Sequence, residues 1–237
     1  MQDFSDQVVM ITGAAGVLGR AVVSHFETRG ACVCAVDVDA ATLDQSFPGR
    51  SDDATHLYLA CDLRDREACA AGAAQIIDQF GRIDVLANIA GGFLMGEPVH
   101  GTSDETWNYL FDLNTRSILN CVAAVVPQML RQKGGKIVNI AARAGLRGAA
   151  NMGAYSASKS VVIRLTESMA EELKARDINV NCILPSIIDT PRNRADMPKA
   201  DFSKWVPAGE IAKVVGFLAS EDARMIHGAA VPVEGLS

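Results

Sequence analysis

VVMITGAAGVLG, residues Val8 to Gly19, sets five apolar or β-branched residues directly before three glycines spaced by three. The run from Val8 to Thr12 predicts a short buried strand, and Val17, Leu18, Ala21, Val22 and Phe26 behind the glycines keep helical spacing. Strand, glycine turn and helix in that order form the first half of a βαβ unit. Its helix N-terminus offers free backbone N–H groups and a positive dipole end to a pyrophosphate. Gly13, Gly16, Leu18 and Gly19 are therefore the candidate phosphate-binding positions.

A second strand, Cys32 to Val36, ends in Asp37, about the distance downstream at which such a fold sets an acidic residue on the adenosine ribose. A carboxylate there accepts from both ribose hydroxyls and repels a 2′-phosphate, which predicts NAD(H) rather than NADP(H) as cofactor. The alternative is an ordinary solvated strand-end aspartate.

Composition limits the partners. The 237 residues carry a net charge of −6, with 49% hydrophobic and 21% charged residues, and no basic run supplies the field that a nucleic acid or an anionic membrane would need. Small molecules are the expected partners. The opening MQDFSDQ is polar and leads straight into the first strand, so neither a signal peptide nor a membrane span is expected and the cytoplasm is the default location. Six cysteines with no Cys-x-x-Cys pair read as buried reduced thiols, and no metal site is expected.

Further along, the polar stretch from Asp39 to Asp53 predicts a short helix and a loop, and a third strand near Thr55 to Ala60 runs into Asp62 and Leu63. Asp62 can meet an adenine amino group while Leu63 packs on the ring. It is equally a good N-cap for a helix from Arg64 to Phe80, and both can hold. The fourth strand, Ile83 to Ala87, leads into Asn88, Ala90, Gly91 and Gly92, small residues at a carboxyl edge where open α/β sheets bind ligands. Phe93, Leu94 and Met95 read as one wall of an apolar pocket or as a loop tucked on the sheet.

Ser103 to Asp112 and Ile118 to Leu130 read as helices with Asn114 between them, and Lys136 to Ile140 as the fifth strand. Tyr155 and Lys159 open a long helix on one shared face, where an ammonium beside a phenol would lower its pKa and make it a usable proton donor or acceptor. Asn179 to Leu184 is the sixth strand, ended by Pro185. The charged, proline-marked segment Asp189 to Trp205 reads as a lid. A helix from Gly209 to Ser220 and a strand from Ala229 to Val233 close a single doubly wound α/β domain spanning 1–237, with no repeat or linker.

With the glycine turn, Asp37, Asn88-Ile89-Ala90-Gly91, Asn114, Tyr155-x-x-x-Lys159 and Pro185-Ser186-Ile187-Ile188-Asp189-Thr190 in this order, the chain resembles the short-chain dehydrogenase/reductase family over nearly its whole length. The resemblance implies a seven-stranded parallel sheet, hydride transfer to or from a nicotinamide, and a homodimer or homotetramer. It also implies roles: Tyr155 as acid/base, Lys159 as its partner and a holder of the nicotinamide ribose, Asn114 as holder of a proton-relay water, and Ile188 and Thr190 as contacts to the carboxamide. The doubly apolar helix behind Tyr155, with Val161, Val162, Ile163 and Leu165, fits self-association.

Two positions depart from the family. The middle glycine of the turn falls at Gly16 rather than one residue later, and the serine that orients substrate, thirteen residues before the tyrosine, is Ala142. Dihydropteridine reductases within the family share both features, and their lid is similar to Asp189-Thr190-Pro191 through Trp205. The expected substrate is accordingly a small conjugated C=N or C=O compound. The alternatives are a general carbonyl or 3-oxoacyl reductase or secondary-alcohol dehydrogenase, in which Arg143 or water replaces the missing hydroxyl, and a dinucleotide-binding sensor without catalysis.

Overall fold

The computed structural model describes residues 3–49 and 54–236. Its centre is a seven-stranded sheet made of β1 (Val8–Thr12), β2 (Cys32–Asp37), β3 (His56–Ala60), β4 (Val85–Asn88), β5 (Gly135–Ile140), β6 (Ile178–Pro185) and a last strand, Ala230–Val233. Their order is β3-β2-β1-β4-β5-β6 followed by that last strand, and every pairing is parallel. A short parallel pair, β7 (Ile188–Asp189) with β8 (Val206–Pro207), stands apart, so Ala230–Val233 is β9.

Strands buried on both faces need helices on both, and the alternation of side chains along β1 and β2 shows the division. Val9, Ile11, Val33 and Ala35 face a core shared with α1 (Val17–Glu27), α2 (Ala40–Ser46) and α8 (Ala208–Ala219). Val8, Met10, Cys34 and Val36 face the opposite core, under α3 (Arg66–Phe80), α5 (Ser117–Gln132) and α6 (Gly153–Leu173). The remaining α-helices among the described residues are α4 (Asp104–Phe111) and α7 (Pro191–Asp196). The seven strands and the doubly wound order are those expected. The helix expected after Asp39 is α2, capped by the Asp39 carboxylate on the Thr42 N–H. The end of that polar stretch, 50–53, lies outside the described residues.

Two local expectations change. The cap of α3 is Asp65, whose carboxylate accepts from the N–H groups of Glu67 and Ala68 at 2.8 and 3.2 Å; Asp62 lies one turn too early. Asn114 does not separate two helices but sits in a π-helical turn, Asp112–Arg116, that joins α4 to α5. Such a turn inserts one residue and rotates the side chains that follow, and it is often found at functional sites.

Strand order reverses between β1 and β4. The loops that follow Thr12 and Asn88 therefore stand at the carboxyl edge where such sheets bind ligands.

Candidate functional site

Space in the crevice is set by glycine. Gly13 adopts φ +62°, and a Cβ there would stand 2.8 Å from the Ala90 Cα in the neighbouring loop. A Cβ on Gly19 would come within 2.1 Å of the Gly13 carbonyl oxygen, so the first turn of α1 lies directly on the glycine loop. Gly16 forms the N-cap of α1 with no side-chain cap, which leaves the first N–H groups of the helix for an outside acceptor. Leu18 belongs to that first turn, but its side chain is buried in the core, so only its backbone can serve an anion. Asp37 at the end of β2 accepts from the Ala15 N–H at 2.9 Å and the Val38 N–H at 2.8 Å, which ties the carboxylate to the glycine loop. A dinucleotide fits this cradle: glycine where a Cβ would collide, an uncapped helix start, and a carboxylate one strand away.

On the adenine side, Asp62 is paired bidentately with Arg64, at 2.9 and 2.7 Å, and the guanidinium holds its carboxyl below the usual range. Leu63 is buried beside it. On the other side of β1, Asn88 is buried, and its amide donates to the Asn139 Oδ1 at 2.9 Å rather than turning toward the crevice. Asn139 in turn donates to the Thr166 hydroxyl, which donates to the Val162 carbonyl. This chain ties β4 and β5 to α6, so Asn88 shapes the crevice from behind. Thr12 has a similar part, its hydroxyl oxygen accepting from the N–H groups of Ile89 and Ala90.

Gly91 marks the centre. A Cβ on it would stand 2.9 Å from the Asn114 Oδ1 and 3.2 Å from the Lys159 Nζ. The Asn114 side chain, fully buried, clamps the next residue: its Oδ1 accepts from the Gly92 N–H at 2.8 Å, and its Nδ2 donates to the Gly92 carbonyl and the Ser158 Oγ, both at 3.0 Å. Ser158 donates onward to the Tyr155 carbonyl. Lys159 donates to the Ile140 carbonyl at 2.9 Å, and burial pulls its pKa down to about 8. Burial pushes the Tyr155 phenol up to about 12. The lowering of Tyr155 expected from Lys159 is thus reversed in this state, because desolvation of the phenol outweighs an ammonium turned to a carbonyl.

The ring of Phe93 meets that of Tyr155 edge to face, with centroids 4.8 Å apart. Beside them a cavity of about 120 Å³ is lined by Leu94, Met95, Glu97, Asn151, Met152 and Tyr155 among others. Ala142 is buried at the end of β5 and carries no donor. Arg143 beside it is half exposed, its Nε 3.9 Å from the Glu234 carboxylate.

Residues 190–205 form an excursion closed at its base by the β7–β8 pair. Thr190 caps α7 by accepting from the Asn193 N–H, and Asn193 donates to the Ile188 carbonyl. Arg194 forks onto Asp189 at 2.6 and 2.7 Å and lies over the Phe202 ring, which packs on the buried Trp205. Ile188 and Thr190 thus stand at the start of the excursion, where it leaves β7.

The six cysteines are free thiols; burial pushes several of them up, and among the described residues no group of side chains is arranged to hold a metal ion. No helix among the described residues is long and apolar enough to cross a membrane. Sequence reasoning missed Asn139, Ser158 and Thr12. The one available signal was a polar residue inside an otherwise apolar strand, as at Asn139.

The sequence profile described as short chain dehydrogenase matches residues 7–201. The chain is 32% identical to the 3-oxoacyl-(acyl-carrier-protein) reductase FabG of Thermotoga maritima, over 97% of this chain and 96% of that one. It is 34% identical to D-threitol dehydrogenase of Mycolicibacterium smegmatis, over 97% and 92%. Among solved structures, carveol dehydrogenase from Mycobacterium avium in complex with NAD superimposes with a TM-score of 0.90 at 27% identity, over 99% of this chain and 98% of that one. The chain belongs to the short-chain dehydrogenase/reductase family.

Proposed function

We propose that this family member is an NAD(H)-dependent oxidoreductase acting on a small conjugated C=N or C=O substrate, in the manner of a dihydropteridine reductase. The observation that carries the substrate class is Ala142: a buried methyl stands where the family's hydroxyl would hold a substrate carbonyl. The cofactor reading is supported by the glycine cradle, by Asp37 and by the NAD-bound structural relative.

Leu18 and Gly19 would hold the pyrophosphate through backbone N–H groups of the first helical turn, with Gly13 and Gly16 shaping the loop beneath it, where the Gly16 N–H donates to the Gly13 carbonyl; Asp37 would hold the adenosine ribose, and Asp62 with Leu63 the adenine. Asn88, Ala90 and Gly91 shape the crevice floor, Lys159 reaches the nicotinamide ribose, and Ile188 and Thr190 meet the carboxamide. When bound, NAD(H) supplies or accepts the hydride.

The chain's own residues supply the proton. Tyr155, with its pKa held high, is protonated at neutral pH and stands ready as a donor at its hydroxyl. Lys159, 3.2 Å from the position of a Cβ on Gly91, lies under the same loop, and a shift of its Nζ from the Ile140 carbonyl toward the phenol would favour the phenolate in the reverse direction. Asn114 bonds Gly92 and Ser158 through its side-chain amide and so fixes the loop that carries Phe93 and the turn that carries Tyr155, and its Oδ1, accepting one N–H, keeps a lone pair with which to hold a relay water. Phe93 and the Met95–Met152 wall exclude water and offer flat apolar surface to a planar ring. A conjugated acceptor is already electrophilic, so one proton donor suffices.

The second reading, a general carbonyl reductase or secondary-alcohol dehydrogenase, is favoured by the names of the relatives. The experiment compares NADH-driven reduction of quinonoid dihydropterin and of simple ketones by the wild type and Ala142→Ser. The wild type is expected to reduce the pterin, and the added hydroxyl to raise ketone turnover by up to about a hundredfold, the worth of one donor to a developing oxyanion. Efficient ketone reduction by the wild type with no pterin activity would establish the second reading. NADH binding without turnover of any acceptor would leave a sensor.

Self-association is part of the same reading. Val99 and Trp107 are exposed and line an open groove of about 460 Å³ against α6. Covering that face with a second copy would bury it. Light scattering at micromolar concentration should give a dimer or tetramer mass.

A further inference from the structure

The segment Cys61–Leu63, which joins β3 to α3, is held from two directions. In front, the Cys61 N–H donates to the carbonyl of Asp37 at 2.7 Å, so the segment takes its position from the residue assigned to the ribose. Behind, the Leu63 carbonyl accepts from the Asn120 Nδ2 at 2.9 Å, and the Cys69 Sγ–H points to the same oxygen at 3.6 Å. Asn120 lies on α5, 6% exposed, among Cys69, Cys121 and Ile118 on the apolar face of that helix. A buried amide among apolar side chains costs free energy unless it is bonded, and Asn120 bonds a loop carbonyl rather than another helix. That bond fixes how deep Leu63 sits, and with it the wall on which an adenine would lie. Asp62, on the adjacent position, is carried by the same backbone.

We propose that Asn120 is a positioning residue for the adenylate half of the dinucleotide: by holding the Leu63 carbonyl against α5 it sets the adenine wall formed by Asp62 and Leu63. The inference rests on the assignment of the adenine to those two residues. Asn120 touches neither cofactor nor substrate, so its effect reaches binding through the loop alone, and it adds to the adenine wall a determinant from a helix that the glycine fingerprint does not include.

The test is calorimetric and needs no substrate. Binding of NADH, ADP-ribose and the hypoxanthine analogue of NADH is measured for the wild type, Asn120→Leu and Asp62→Ala. Leucine keeps the volume of Asn120 and removes its donor. Losing one buried hydrogen bond predicts that Asn120→Leu binds NADH and ADP-ribose about three- to tenfold more weakly, by the same factor for both, and that the wild type's preference for adenine over hypoxanthine shrinks. A lesion spread through the fold would not change that preference. If Asp62→Ala weakens ADP-ribose while Asn120→Leu leaves both affinity and preference unchanged, the positioning role is overturned and the adenine assignment stands. If the wild type does not distinguish adenine from hypoxanthine and Asp62→Ala binds ADP-ribose normally, the assignment fails and the inference falls with it. Should Asn120→Leu not fold, Cys69→Ala removes the weaker bond to the same oxygen; a loss of about twofold in ADP-ribose affinity is expected, and no change overturns the proposal.

Discussion

Around Gly13 and Gly19 three stretches of backbone approach so closely that a single methyl would strike a carbonyl or a Cα, whereas around Tyr155 the walls are side chains: Phe93, Leu94, Met95 and Met152. The first region is fixed by sterics that leave almost no alternative sequence. The second is fixed by hydrogen bonds from the buried side chain of Asn114, to Gly92 and to Ser158, beneath a surface free to vary. One half is therefore built as a dinucleotide holder, and the other leaves room for its side chains to vary.

If that contrast is right, the largest effect of a small change falls in the tight half. Gly19→Ala forces a methyl to within 2.1 Å of the Gly13 oxygen and 2.7 Å of the Ala14 Cα. Backbone overlap of this kind should cost about 3 kcal/mol or more, a fall in Tm of roughly 6–12 °C, and abolish measurable NADH binding. A variant that melts and binds as the wild type would break the comparison. Next comes Asp37→Asn, which keeps an acceptor for the Ala15 N–H but removes the charge: kcat/KM with NADH should fall about tenfold to a hundredfold and discrimination against NADPH should narrow. A wild type that prefers NADPH would contradict the role of Asp37.

The smallest effect at neutral pH lies behind the tight half, where α1 packs on α8. His25 is buried there against Gly216, its Nε2 has no hydrogen-bond partner, and desolvation with Arg29 and Lys213 nearby pulls its pKa from 6.5 to about 4. The unfolded chain binds the proton more readily between those values, so this contribution to stability is complete above about pH 6.5 and is lost as pH falls toward 4, by roughly 3 kcal/mol. Thermal melts from pH 7 to 4.5 should show that slope in the wild type and a shallower one in His25→Asn. An unchanged slope would remove His25 from the account.

The same contrast explains what was legible in the sequence. Gly13, Gly16, Gly19 and Asp37 announce themselves because the constraint on each is local: a positive φ, a close approach, a strand end. The cap read from sequence is Asp62; the path of the chain after β3 gives it instead to Asp65, three residues on. The clamp made by Asn114 was hidden because a π turn leaves no mark in hydrophobic spacing, and its partners Gly92 and Ser158 are distant in the chain. The direction of the Tyr155 shift was misread because spacing shows that Lys159 shares its helix face but not that its Nζ turns to the Ile140 carbonyl.

The central claim is that the variable half delivers one proton, from Tyr155, to a substrate held beside a cofactor that the tight half binds independently. Tyr155→Phe keeps the ring packed on Phe93 and removes only the hydroxyl. Turnover of the acceptor that the wild type reduces fastest, measured with NADH affinity on the same preparation, should drop about a hundredfold to ten-thousandfold while NADH binds within about twofold of the wild type. Turnover retained within about tenfold, or NADH affinity lost together with activity, would contradict it.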